Sequence, residues 1–209
     1  MARKTGSQGQ LTDARIRAAA LRLFARYGYA AVSMRRIARE VGLQAGALYL
    51  YTPDKQTLLF ELMTGHMQEL LTAWTREPDV SDPVARLEVF TRFHIRFHLT
   101  RPDAVFVSYM ELRNLELANF RVVEGQRRRY EDVLEGILKA GQAARVMTVP
   151  DTKLTTLALI AMLTGVNTWY REGGRLERGR VEEIYWDMVR NSVGAVARSQ
   201  RPAGAVAGP

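Results

Sequence analysis

The chain has 209 residues, long enough to bury a substantial core without help from a disulfide or a structural metal. It contains no cysteine, which excludes a disulfide framework, a thiolate zinc site and a cysteine nucleophile. Its formal net charge of +8 is unevenly placed: residues 1–55 carry ten Lys/Arg against three acids, and the remainder twenty against nineteen. That asymmetry points to a polyanion-binding head on a nearly neutral body, with an ordinary solvated basic face as the alternative.

The opening MARKTGSQGQL is basic and polar, with no apolar segment of the kind a secretory signal needs. No later run approaches the length of a membrane span. The expectation is a cytoplasmic protein with no membrane partner. Residues 1–10 read as a flexible basic arm.

From there apolar residues recur at helical spacing, with no period-two run bounded by turns, so the fold class is all-α with about nine helices. Ile16, Ala20, Leu23, Phe24 and Tyr27 form the stripe of helix one, stopped by Gly28. Ser33 caps helix two, whose inner face is Met34, Ile37, Ala38 and Val41 and which ends at Gly42. A third short helix is expected over about 44–51, because Pro53 disfavours helix at Thr52. Helix four, over about 54–76, carries the rows Leu58, Leu62, His66, Leu70, Trp74 and Leu59, Met63, Met67, Leu71. Further helices are expected over 83–100, 102–113, 117–141, 151–172 and 180–199, with 200–209 as a disordered tail.

Two short helices joined by a glycine-containing turn, behind an amphipathic helix and inside the basic segment, outline a helix-turn-helix over residues 11–55. Residues 15–63, RIRAAALRLFARYGYAAVSMRRIAREVGLQAGALYLYTPDKQTLLFELM, resemble the DNA-binding domain of TetR-family transcriptional regulators. The "LF..YG" end of helix one, the "S.R.IA..VG" second helix, the "GALY" third helix and the "PDK..L" exit carry the resemblance.

By that resemblance helix three enters the major groove of double-stranded operator DNA. The implied DNA-binding set is Ser33, Arg35, Arg36, Gln44, Ala45, Gly46, Ala47, Tyr49, Tyr51 and Lys55. Tyr49, Tyr51 and Lys55 would hold phosphates, while either tyrosine ring could instead pack between helices. Gln44, Ala45 and Ala47, with Arg36, would face bases, and Gly46 would admit the backbone to close approach. Leu43 and Leu48 would be core. The chain departs from the family pattern at Gln44, where Ser or Thr is usual, at Ala45, where Lys is common, and at Thr52, where Phe is usual. Arg36 also stands where an acid often completes a capping box with Ser33.

Residues 56–199 would then form a ligand-binding and dimerisation bundle. The segment ALIAMLTGVNTWYREGGRL, with RRRYEDVLEGILKAGQ upstream, is similar to TetR-family regulators of fatty-acid and steroid-ring degradation, many of which sense acyl-CoA thioesters. Met63, Met67, Trp74, Phe90, Phe93, His94, Phe97, His98, Phe106, Tyr109 and Met110 are the candidate contacts of a hydrophobic effector, with plain core packing as the alternative. His94 and His98 stand at i and i+4, but no third metal ligand is evident, so they read as polar positions in a pocket wall. Arg127, Arg128 and Arg129 read either as partners of a coenzyme A phosphate or as a solvated face.

Ala158, Ala161, Gly165 and Thr168 form a small-residue row, and Ile184, Met188, Ser192 and Val196 an apolar one. Together they are the candidate homodimer interface, unless both rows pack within one subunit. A two-fold dimer implies a palindromic operator. No cofactor is called for. The reading is a ligand-responsive repressor. Competing readings are an all-helical enzyme acting on an acyl thioester, which lacks a nucleophile elbow, phosphate loop or paired acid and base, and a structural DNA-binding protein without an effector.

Overall fold

A computed structural model gives the fold of residues 3–195, with the side chains of residues 3–7 left undescribed. The expected tail at 200–209 and the expected interface residue Val196 lie outside the described residues. Within them the chain forms ten α-helices and a 3-10 turn, and no strand. In order these are α1 (Arg3–Tyr27), α2 (Met34–Glu40), α3 (Ala45–Leu48), α4 (Lys55–Trp74) and α5 (Pro83–Leu99). There follow α6 (Pro102–Met110), the 3-10 turn Leu112–Asn114, α7 (Leu117–Ala143), α8 (Thr152–Thr164), α9 (Val166–Trp169) and α10 (Arg178–Ser192).

Several starts and stops have a local cause. Ser33 accepts from Arg36 N at 3.2 Å and Asp82 from Val84 N at 3.1 Å, capping α2 and α5. Asp151 does the same for α8, accepting from Leu154 N at 2.8 Å. Gly28 at φ +80° and Gly42 at φ +74° take the left-handed positions just past α1 and α2.

Several sequence expectations change, among them the helix expected over 180–199, which ends at Ser192 with Val193 and Gly194 in a turn. Residues 3–10, read as an arm, continue α1 toward the N-terminus, where Thr12 Oγ1 donates to Gln8 O at 2.9 Å. Helix three closes at Leu48 rather than near 51: Leu48 O already accepts from both Tyr51 N and Thr52 N, and Pro53 follows. Helix six ends at Met110, where Glu111 leads into the tighter 3-10 turn. The helix expected over 151–172 is divided at Gly165 and ends at Trp169.

The chain's internal contacts divide it into two units. The first comprises residues up to Glu69 together with Pro102–Gln126. Its core joins Ile16, Phe24, Ile37 and Leu48 to Leu58, Leu59 and Met63 of α4 and to Val107, Leu115 and Val123. The head therefore does not close at residue 55, because the first turns of α4 and the segment after Pro102 complete its apolar core. The second unit comprises Leu70–Arg101 and the residues from Arg127 onward. It is organised on α5, nine of whose residues are buried and which packs against α8, α9 and α10.

Candidate functional site

The first unit holds the helix-turn-helix, and its packing decides which side chains remain free to meet a partner. α2 buries Met34, Ile37 and Ala38, which leaves Arg35 and Arg39 exposed on the opposite side of the helix. In α3, Leu48 is fully buried, Leu43 just before it is half-buried, and Gln44 and Gly46 are exposed. Gln44 stands at the N-cap position without a side-chain cap bond, so its carboxamide is not committed to the helix end. Ala45 and Ala47 are half-buried.

The two tyrosines separate. Tyr49 is 53% exposed, whereas Tyr51 is half-buried and packs against the core of the unit. Between them stands Leu50, 85% exposed, which the sequence reading did not single out.

Lys55 differs from expectation. Its Nζ donates to Tyr29 O and to Val32 O, each at 2.9 Å, and lies 4.1 Å from the centroid of the Tyr29 ring. Burial holds its pKa below the usual lysine value. Two of its three donors thus close the loop between α1 and α2, where a phosphate contact alone was expected. Its neighbour Gln56 clamps another turn, with Nε2 donating to Asn114 O at 2.9 Å and Oε1 accepting from Glu116 N at 3.2 Å. Both residues join segments far apart in sequence, a signal that local patterning does not carry.

Arg36 also has a partner that the apolar stripe did not suggest. Its guanidinium lies 3.8 Å from the centroid of the Tyr27 ring, and Tyr27 is exposed rather than part of the core. Arg15 was not singled out either; its Nη2 donates to Val41 O at 3.0 Å, closing the C-terminus of α2.

The candidate effector residues fall into separate groups. In the first unit Met63 and Met67 are buried, Tyr109 is half-buried, and Phe106 and Met110 are exposed. In the second unit Trp74, Phe90, Phe93, His94, Phe97 and His98 are buried against one another. Trp74 lies 5.3 Å from Phe90 and 5.5 Å from Phe93, centroid to centroid, and Phe90 stacks on Tyr130 at 5.2 Å. His94 is fixed through both ring nitrogens, Nδ1 with the Tyr130 hydroxyl at 3.1 Å and Nε2 with Thr164 Oγ1 at 3.0 Å. His98 stacks on His94 at 3.9 Å and meets His94 O through Nδ1 at 2.8 Å. Burial, with a smaller contribution from Arg101, pushes the His98 pKa down to about 4. Arg128 and Arg129 are exposed and Arg127 is half-buried.

Of the expected interface residues, Ala158, Ala161 and Thr168 near the C-terminal end of the small-residue row, and Met188 and Ser192 on α10, are exposed. Ile184 and Gly165 are half-buried. Leu154, Leu157 and Trp169 extend this exposed apolar set beyond the expected one.

Two family models match the chain. The model described as "Bacterial regulatory proteins, tetR family" covers residues 16–62, and that described as "Tetracyclin repressor-like, C-terminal domain" covers residues 80–193. The chain belongs to the TetR family. As a member it is a DNA-binding transcriptional regulator, and the first match spans the helix-turn-helix described above.

A TetR-family regulatory protein from Rhodococcus RHA1 is similar in structure, with a TM-score of 0.82, 27% identity and coverage of 89% of this chain and 98% of that one. The structure of AibR in complex with isovaleryl coenzyme A and operator DNA shares the fold, with a TM-score of 0.76, 23% identity and coverage of 87% and 100%. In sequence, the fatty acid metabolism regulator protein of Bacillus subtilis (strain 168) is 24% identical over 156 residues, 72% of this chain and 79% of its own length. The chain spans only 18% and 29% of two other curated relatives, HTH-type regulators of Bacillus subtilis and Shigella flexneri.

Proposed function

We propose that this TetR-family regulator is a homodimeric repressor that holds a palindromic operator and leaves it when a hydrophobic effector of the acyl-CoA class binds. The observation that carries the DNA half is the division of labour in α3. Leu48 anchors the helix in the core, while Gln44, Gly46 and Tyr49 stay exposed beside a segment rich in cations. In this reading Gln44 pairs with a base edge, and Tyr49, Arg35 and Arg39 hold phosphates. Ser33 fixes the start of α2, and Lys55 turns its remaining donor toward the backbone.

The exposed apolar residues of α8 and α10 support dimerisation, since Leu154, Leu157 and Met188 otherwise stand in water. Two copies related by a two-fold axis would present one α3 to each half-site. The effector class is supported by AibR, solved with isovaleryl coenzyme A, and by the similarity to a fatty acid metabolism regulator. Release requires that the effector bind the DNA-free arrangement more tightly than the DNA-bound one, because only differential affinity shifts the equilibrium.

The test is fluorescence anisotropy on DNA from upstream of the protein's own gene, with acyl-CoAs of varied chain length titrated in at fixed salt. Release by one thioester at micromolar concentration and not by free coenzyme A supports the reading. Specific binding untouched by every thioester removes the effector class and keeps the DNA-binding head.

A further inference from the structure

The second unit contains a cleft of about 270 Å³ that the effector reading does not use. Trp74 at the end of α4, Val80 in the following loop, Arg86 of α5 and Val133, Gly136 and Ile137 of α7 line it. Its wall is thus mostly aliphatic, with a single cation. Of the eleven candidate effector contacts only Trp74 is among its lining residues.

Three features make the cleft selective. The first is the setting of the Arg86 guanidinium. It lies 4.2 Å from the Trp74 ring centroid, and its Nη1 donates to Pro78 O, so stacking and a backbone bond fix its orientation. The second is its charge balance. Asp79 pairs with Arg86 at 3.6 Å from Nη2, and its side chain is 96% exposed. A carboxylate so open to water neutralises the guanidinium weakly and can swing away at little cost. The third is Gly136, an exposed lining residue at which a built Cβ meets nothing within 4 Å, so this side of the cleft has room for a ligand's body and for a substituted side chain.

We propose that this cleft binds a small organic carboxylate with a compact apolar body. The acid's two oxygens face Arg86 and the nearby Ser81 hydroxyl, and its hydrocarbon part lies over Gly136 between Val133 and Ile137. One guanidinium and one hydroxyl suit one carboxylate. A phosphate dianion carries twice the charge and more acceptors than this site can serve. The volume lies just below the range of about 300–1,000 Å³ usual for drug-sized ligands, so the site suits an acid of roughly ten heavy atoms and not an entire coenzyme A thioester. The site stands apart from the operator reading, and its test uses no DNA.

The test is isothermal titration of the full-length protein with isovalerate, hexanoate and benzoate, each against its uncharged amide. At least one acid should bind with a Kd below about 1 mM, and its amide at least about tenfold more weakly. Arg86→Gln should weaken that acid by a similar factor and leave the amide unchanged, while Gly136→Leu should abolish binding of the acid by filling the space. Gly136→Ala, which adds one methyl to open space, should weaken the acid without lowering the melting temperature, and it serves as the readout if the leucine variant fails to fold. No binding by any of the three acids, equal binding of acid and amide, or full binding in the filled variant overturns the proposal.

Discussion

Tyr49 and His98 show how a single side chain's surroundings set what it can do. The Tyr49 ring is half in water, and its hydroxyl is the group expected to meet a phosphate. Tyr49→Phe should therefore weaken binding to every DNA sequence by a similar factor, about tenfold at most, while thermal stability stays unchanged. Anisotropy on operator and scrambled duplexes reads this directly, and equal affinity for wild type and variant would show that the hydroxyl makes no useful contact. His98 is a buried base whose charged form the fold disfavours, with its pKa lowered from 6.5 to about 4 and with His94 and Arg101 beside it. Above pH 6.5 it is neutral whether folded or unfolded and has no effect. As pH falls from 6.5 to about 4 the unfolded chain takes up the proton and the folded one does not, so stability is lost, by about 3 kcal/mol at most. Denaturant unfolding of His98→Gln at pH 7 and pH 5 should show a smaller acid-induced loss than wild type. The histidine pair at i and i+4 was legible in the sequence. The partners that hold it, Tyr130 and Thr164, were not, because they come from α7 and α8.

At the scale of elements, the stops after α1, α2 and α5 were read from the sequence, whereas the break at Gly165 inside the helix expected over 151–172 was missed. Gly28 and Gly42 end α1 and α2 in the left-handed region, as their placement after an apolar stripe implied. The helix expected over 117–141 ends close by, at Ala143, but the turn after it takes its left-handed residue at Arg145, φ +54°, where no residue type announced it. Arg145→Gly should stabilise the protein by about 1 kcal/mol, measured as a higher denaturant midpoint with an unchanged slope. Four residues earlier, Gly141 has a different reason to be glycine: an added Cβ would overlap Sδ of Met147, which is buried. Gly141→Ala should lower stability by about 1–3 kcal/mol, against the gain of up to about 1 kcal/mol that alanine brings to a helix interior. A stabilised Gly141→Ala variant would mean that Met147 can move aside freely. The clamps made by Lys55 and Gln56 illustrate the limit of local reading most plainly. Each is a short contact in space between residues 23–60 positions apart in the chain.

For the whole molecule, the all-helical class, the basic head and the helix-turn-helix were legible because each is a pattern in charge or period. The extent of the first unit was not, since Val107, Leu115 and Val123 return to its core from beyond Pro102. The exposed apolar set on α8 and α10 makes assembly the claim proper to this scale. Leu157→Asp places a charge there and, on the proposed function, should turn a dimer into a monomer in sedimentation velocity at micromolar concentration. Operator affinity should fall with it, because a monomer presents one α3 to a two-half-site operator where a dimer presents two.

The most direct measurement is the ratio of affinities for the protein's own upstream DNA and for a scrambled duplex, taken by anisotropy across several salt concentrations. A sequence-reading regulator predicts a ratio of at least about 10³, lost together with dimerisation in Leu157→Asp. Equal affinity for the two duplexes, with only a steep salt slope in common, would contradict operator recognition and leave a basic head that binds DNA by charge alone.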